Sequence, residues 1–225
     1  MRSILALTTA VLGLLAAATT AMAQTPVAVV EEVKGKPDGI EFMDYVTVGQ
    51  IIKLGPTDTI VLGYMTSCWR ETITGGTVVV GAEQSSTHLS KLDRVKVDCG
   101  GGQAAVSEAE ARASAVTVFR SVRPTHPTEE SAKVIVHGLS PTLEVGRSGR
   151  LVLERLDKPG ESFTANVKQS ELIRGRFYDL AKINKELVPG GTYAAKFGDR
   201  RVVFAVDPDA KPGSTPVIGR LVRFE

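Results

Sequence analysis

Histidine, cysteine and aromatic residues are scarce in this chain, and each scarcity removes a class of chemistry. The three histidines, His88, His126 and His137, stand singly on three separate segments. Metal sites draw on clustered His, Cys and carboxylate donors at short spacings, so the pattern offers no metal centre and calls for no cofactor. Serine-hydrolase chemistry favours a Gly-x-Ser-x-Gly elbow between strand and helix. The nearest approach, Val145-Gly146-Arg147-Ser148-Gly149, sets one glycine too close and adjoins no helical pattern. Gly100-Gly101-Gly102 lacks the Lys-Ser/Thr pair of a phosphate loop and reads as a linker. Charge of one sign is also missing: 27 basic residues stand against 25 acidic ones. That balance gives no electrostatic case for nucleic acid, which calls for a strongly basic face. After Gln24 no apolar run approaches membrane-spanning length, so no transmembrane segment is expected once the leading segment is removed.

That leading segment is the clearest address in the sequence. Arg2 beside the amino terminus precedes an apolar stretch from Ile4 to about Ala18, and Ala21-Met22-Ala23 places small residues where a signal peptidase reads. Residues 1–23 are read as a cleaved signal peptide, with the cut between Ala23 and Gln24 and a periplasmic or secreted destination. No lipobox cysteine follows. In an oxidising compartment the only two cysteines, Cys68 and Cys99, are expected to form a disulfide. Closing that loop stabilises a fold by about 3 to 4 kcal/mol in the chain-entropy treatment. The competing reading, a nucleophilic Cys68 paired with His88, needs a free thiolate where thiols oxidise and has no motif behind it.

Aromatics at 5% with abundant valine and glycine favour strands and tight turns over a helical core. Short β-branched runs at Val27 to Val33, Tyr45 to Val48, Gln50 to Leu54, Thr59 to Tyr64, Glu71 to Ile73, Thr77 to Val80 and Arg94 to Cys99 are separated by glycine and proline. An Ala-rich stretch at 103–115 is predicted to be a linker helix, with Ser107 as cap and Glu110 three residues on. A β-branched run follows at Val116 to Val122. Further strands are predicted at Lys133 to His137, Gly149 to Arg155, Ser162 to Val167, Glu171 to Phe177, Gly191 to Phe197, Arg201 to Val206 and Val217 to Phe224. Asp179 to Lys185 reads as a helical turn or loop. The expected architecture is mostly β, two antiparallel domains over 24–115 and 116–225 joined by the short helix or linker.

Two family resemblances refine this. Leu187-Val188-Pro189-Gly190-Gly191-Thr192-Tyr193 resembles the L-x-P-G-x-x-Y segment of immunoglobulin-like and fibronectin type III domains. The resemblance implies a sandwich in which Leu187 is buried, Pro189-Gly190 makes the turn, and the Tyr193 hydroxyl bonds back to the backbone at a tyrosine corner. Residues 29–80, through Val48-Gly49, Ile51, Leu54-Gly55 and Asp58 to Tyr64, are similar to the periplasmic domain of FecR-type proteins. That implies a small all-β sensing or scaffolding domain. The sequence departs from the family at Met65-Thr66-Ser67-Cys68-Trp69-Arg70, where a short Asp-Gly-Ser hairpin is usual.

The remaining polar residues suggest no catalytic set. Glu31-Glu32 and Glu129-Glu130 read as solvated faces, and Trp69 as packing against the disulfide. Arg147, Arg150, Arg155, Arg174 and Arg176 alternate along strands, as a wet sheet face or a receptor for an anionic group. The expected function is a non-enzymatic binding, sensing or scaffolding protein with a protein partner in the bacterial cell envelope. The alternatives are an accessory subunit of an envelope or secretion complex and a hydrolase of unrecognised class.

Overall fold

The computed structural model describes residues 25–100, 132 and 134–224. The segment read as a signal peptide, with Ala23 and Gln24, the helix expected at 103–115, the boundary near 115, the run 116–122, Glu129-Glu130 and His126 lie outside the described residues. The described chain is mostly β, as its composition predicts, and its only helical elements are two short 3-10 turns, Gln169–Glu171 and Leu180–Ile183.

The first sheet is built from β1 (Pro26–Lys34), β2 (Tyr45–Thr47), β3 (Ile51–Tyr64), β4 (Trp69–Val79), β5 (Ser86–His88) and β6 (Lys91–Lys96). Its order is β2-β1-β3-β4-β5, with β6 also on β4. β3 and β4 each carry two of the short runs expected from sequence. The ladder continues through Gly55-Pro56 and Gly75-Gly76 with a register shift between Leu54 and Thr59, because a bulge bends a strand without ending it. Gly75 and Gly76 both have positive φ, and a Cβ on Gly76 would meet the carbonyl oxygens of His88 and Leu89. Only glycine fits that bend. One face of the bent sheet buries Ala28, Val30, Ile52, Ile60, Leu62 and Ile73. Such side chains contribute about 1.5 to 3 kcal/mol each when fully buried.

The second half is a two-layer sandwich. One layer is β10 (Ser162–Val167), β9 (Gly149–Arg155), β12 (Thr192–Phe197), β13 (Arg200–Lys211) and β7 (Val134–Gly138), in that order. The other is β11 (Phe177–Asp179), β8 (Thr142–Glu144) and β14 (Leu221–Arg223). Leu151, Leu153, Tyr193, Phe197 and Phe204 from the first layer meet Leu143, Tyr178 and Val222 from the second in one core. The pairings are not all antiparallel: β7 runs parallel to β13, and β14 parallel to β8. Both follow from a late segment returning to lie beside the opening strands of the sandwich. The strand expected over Glu171 to Phe177 is instead a 3-10 turn followed by a tight reversal, with Arg174 (φ 53°) and Gly175 (φ 63°) in the left-handed region. Alternation alone does not register that reversal.

A third cluster joins the halves: Val29, Met43 and Met65 from the first with Phe177, Val217, Ile218 and Leu221 from the second. The chain after β13 runs through this joint as a strap. On one side the Ile218 N–H donates to the Glu31 carboxylate at 2.8 Å, which also accepts from Arg70 Nε at 2.7 Å. On the other, buried Arg220 donates to Asp179 (2.6 Å), to Thr142 Oγ1 (2.6 Å) and to the Ser140 carbonyl (2.8 Å). Glu31 is thus 2% exposed and not on a solvated face as its sequence neighbourhood implies. A buried carboxylate persists where it is paired and hydrogen-bonded, and here strand and strap supply both.

Candidate functional site

Cys68 and Cys99 are bonded, with Cα atoms 5.6 Å apart, so neither is a nucleophile. The bridge ties the β3–β4 connection to the segment after β6. Beside it Trp69 is half-buried, with Lys96 Nζ 4.4 Å from its ring centroid. The five arginines expected to alternate along strands do not: only Arg150 and Arg155 lie on one, β9, while Arg147 precedes it and Arg174 and Arg176 sit in the reversal before β11. Three of the five are engaged by carboxylates of the same chain. Arg155 binds Asp157 and Glu161, Arg174 binds Glu41 and Asp44, and Arg176 lies 3.9 Å from Glu144. A second buried acid, Glu71, accepts from Arg94 Nε (2.6 Å) and the Ser85 N–H (3.1 Å), and Ser85 in turn bonds Tyr64. These are structural networks that pin loops to sheets. His137 Nδ1 lies 3.2 Å from Asp207, and no group of three or more potential metal ligands occurs among the described residues.

The segment containing Leu187, Pro189, Gly190 and Tyr193 forms one wall of an open cleft. Leu187 is buried in the sandwich core, Gly190 has φ 72°, and the Val188 N–H donates to the Tyr193 hydroxyl at 2.9 Å. The Leu187 N–H donates to the Leu139 carbonyl (2.7 Å) and the Lys185 N–H to the Leu180 carbonyl (3.0 Å). Three successive backbone anchors therefore hold Lys185 to Val188 in place before anything binds. Across from this wall stand Ser162 and Phe163 of β10, with Leu153 below, around a cleft of about 90 Å³. Val188 is 44% exposed on the rim, and the Lys185 ammonium sits 5.2 Å from the Phe163 ring.

The end of the cleft is tied by charge. Arg155 bonds both Asp157 and Glu161, Lys158 adds a contact to Glu161 at 2.9 Å, and Asp157 accepts from the Thr192 N–H at 2.9 Å. The Arg155 guanidinium holds the Asp157 carboxyl below its ordinary range, and Lys158, then Arg155, do the same to Glu161. The β9–β10 hairpin is thereby locked to the start of β12.

β10 is the outermost strand of its sheet and pairs only with β9. Its other side carries no ladder partner among the described residues. Ser162, Thr164 and Asn166 are exposed on one face, while Phe163 and Ala165 pack partly onto the core. The facing layer consists of three-residue strands. The motif around Tyr193 located the anchored wall in sequence. The opposite wall, Ser162 and Phe163, and the free edge were not singled out, since an edge strand alternates like any other. Comparison of the chain with protein families, with curated proteins and with solved structures finds no match.

Proposed function

We propose that this chain is an exported, non-enzymatic binding protein of the bacterial cell envelope that recognises a protein partner at the cleft beside β10. The observation that carries the reading is the pairing of a rigid, partly apolar wall with an unpaired strand edge. Together they offer shape and backbone hydrogen-bonding capacity that no other described residue of the chain takes up. The disulfide suits an oxidising compartment, in keeping with the signal segment. An immunoglobulin-like assignment of the second half is supported by the sheet order β10-β9-β12-β13-β7, by the parallel β7–β13 pairing, and by the hydroxyl bond of Tyr193. A FecR-like origin for the first half rests on its sequence pattern over residues 29–80.

A photo-crosslinking amino acid placed at Val188 in the exported protein, in its native cells, tests the reading. Val95 on β6, 44% exposed, serves as the control position. A discrete protein adduct at Val188 that is missing at Val95 is expected. No adduct at Val188, or hydrolytic turnover by the purified chain that is lost on changing one carboxylate, overturns the proposal.

A further inference from the structure

We infer that the occupant of the cleft is an extended, acidic, alternately apolar segment of another protein, added antiparallel to β10 as a sixth strand of the five-stranded sheet. The inference rests on the reading of the cleft as a protein-binding site and adds the mode and chemistry of the partner.

Three features converge on it. β10, six residues long, pairs with β9 on one side only; on its other side, where alternate residues turn N–H and C=O outward, it has no ladder partner among the described residues. An extended peptide is the ligand whose own N–H and C=O groups match such a row. Side chains of an added strand alternate between the two faces. Those turned inward lie beside Phe163 and reach the depression walled by Leu187 and Val188, which favours apolar residues at every second position. The charges around the edge are unbalanced. Lys185 at the cleft, Lys168 at the end of β10 and Arg150, cross-strand from Asn166 on β9, take part in no ion pair among the described residues, whereas Glu161 is already held by Arg155 and Lys158. Glu186 on the cleft rim is the one unpaired carboxylate there. Three open cations against two acids, Glu186 and Glu171 beside Lys168, leave a basic excess that favours carboxylates on the incoming strand and disfavours a second copy of β10, which would bring the same cations together.

The test uses the purified mature chain and a fluorescent peptide, Thr-Val-Glu-Val-Glu-Val-Thr with blocked ends, followed by polarisation. Saturable binding is expected. It should weaken about tenfold or more when alternate peptide nitrogens are methylated, since several backbone bonds are lost at once. Replacing both glutamates by lysine should weaken it similarly, with affinity for the lysine peptide recovered in the double variant Lys185→Glu, Arg150→Glu. Binding that is insensitive to backbone methylation means that the cleft takes side chains without a strand, and overturns the inference. So does a concentration-dependent dimer whose crosslinks at Val188 are to the chain itself. Failure of every peptide together with a Val188 adduct to a different protein removes the strand mode and leaves the binding reading standing. Failure of both removes the two together.

Discussion

At the scale of single residues, Gly63 is constrained by its neighbours alone. Its φ is not what requires glycine. A Cβ there would lie 2.6 Å from Ile218 Cγ2 and 2.7 Å from Glu31 Oε1. Neither neighbour has room to yield, because the Glu31 carboxylate is clamped by Arg70 and by the Ile218 N–H. Gly63→Ala should therefore destabilise the protein by about 1 to 3 kcal/mol, the usual range for overpacking. Urea unfolding monitored by circular dichroism measures it, and a midpoint unchanged from the parent would show that the strap can shift. Nothing in the sequence marks Gly63 apart from the chain's other glycines, nor Glu31 apart from Glu32. Both owe their roles to the segment around Ile218, which lies 187 residues from Glu31 in the chain, and local pattern is blind to such distances. Cys68, Cys99 and Tyr193 are legible for the opposite reason: one residue type, or one short motif, has few structural uses.

Among the elements, the cleft wall and the hairpin facing it each carry a prediction. Tyr193→Phe removes the acceptor for the Val188 N–H while keeping the ring stacked on Phe204, whose centroid is 5.9 Å away. The expected loss is about 1 kcal/mol of stability, with faster amide exchange at Val188 as the local sign. Unchanged exchange there would mean that the hydroxyl does not hold the wall. The hairpin responds to acid. Asp157 and Glu161 have folded-state pKa values below their ordinary ones, so their contribution is present above the unfolded values and fades as pH falls through the folded ones. The β9–β10 turn should loosen at acidic pH below the usual carboxylate range, ahead of the core. Carboxyl NMR titration reads the two groups directly, and midpoints at or above the ordinary values would contradict the lock. Of the strands that sequence identified best, β9 and β10 alternate cleanly, while β1 and β12 bury consecutive residues and are marked by apolar or β-branched runs ended by glycine. Those it missed, β5, β8 and β11, are three residues long, too short to express a period. Their places are fixed by tertiary partners: Arg220 and Asp179 hold β8 and β11 against the strap.

For the molecule as a whole, the strap decides whether the halves unfold separately. Val217 and Ile218 are buried against Val29 and Met43, while two residues on Arg220 is buried against Asp179. One short segment thus completes the cores of both halves, which favours a single cooperative transition even though the sequence pattern alone reads as two domains. Arg220→Met tests the coupling. It leaves the Asp179 carboxyl without its guanidinium partner in a site only 5% exposed, and losing one partner of a buried pair costs about 3 to 5 kcal/mol. In a protein of this size that corresponds to a fall in Tm of roughly 10 °C. The chain has a single tryptophan, Trp69, in the first half, while Arg220 is in the second. Fluorescence of Trp69 and far-UV circular dichroism should therefore melt together in the parent and move down together in the variant. If the Trp69 curve stays in place while the remaining signal falls, the strap closes only the sandwich, and the first half holds its fold without it.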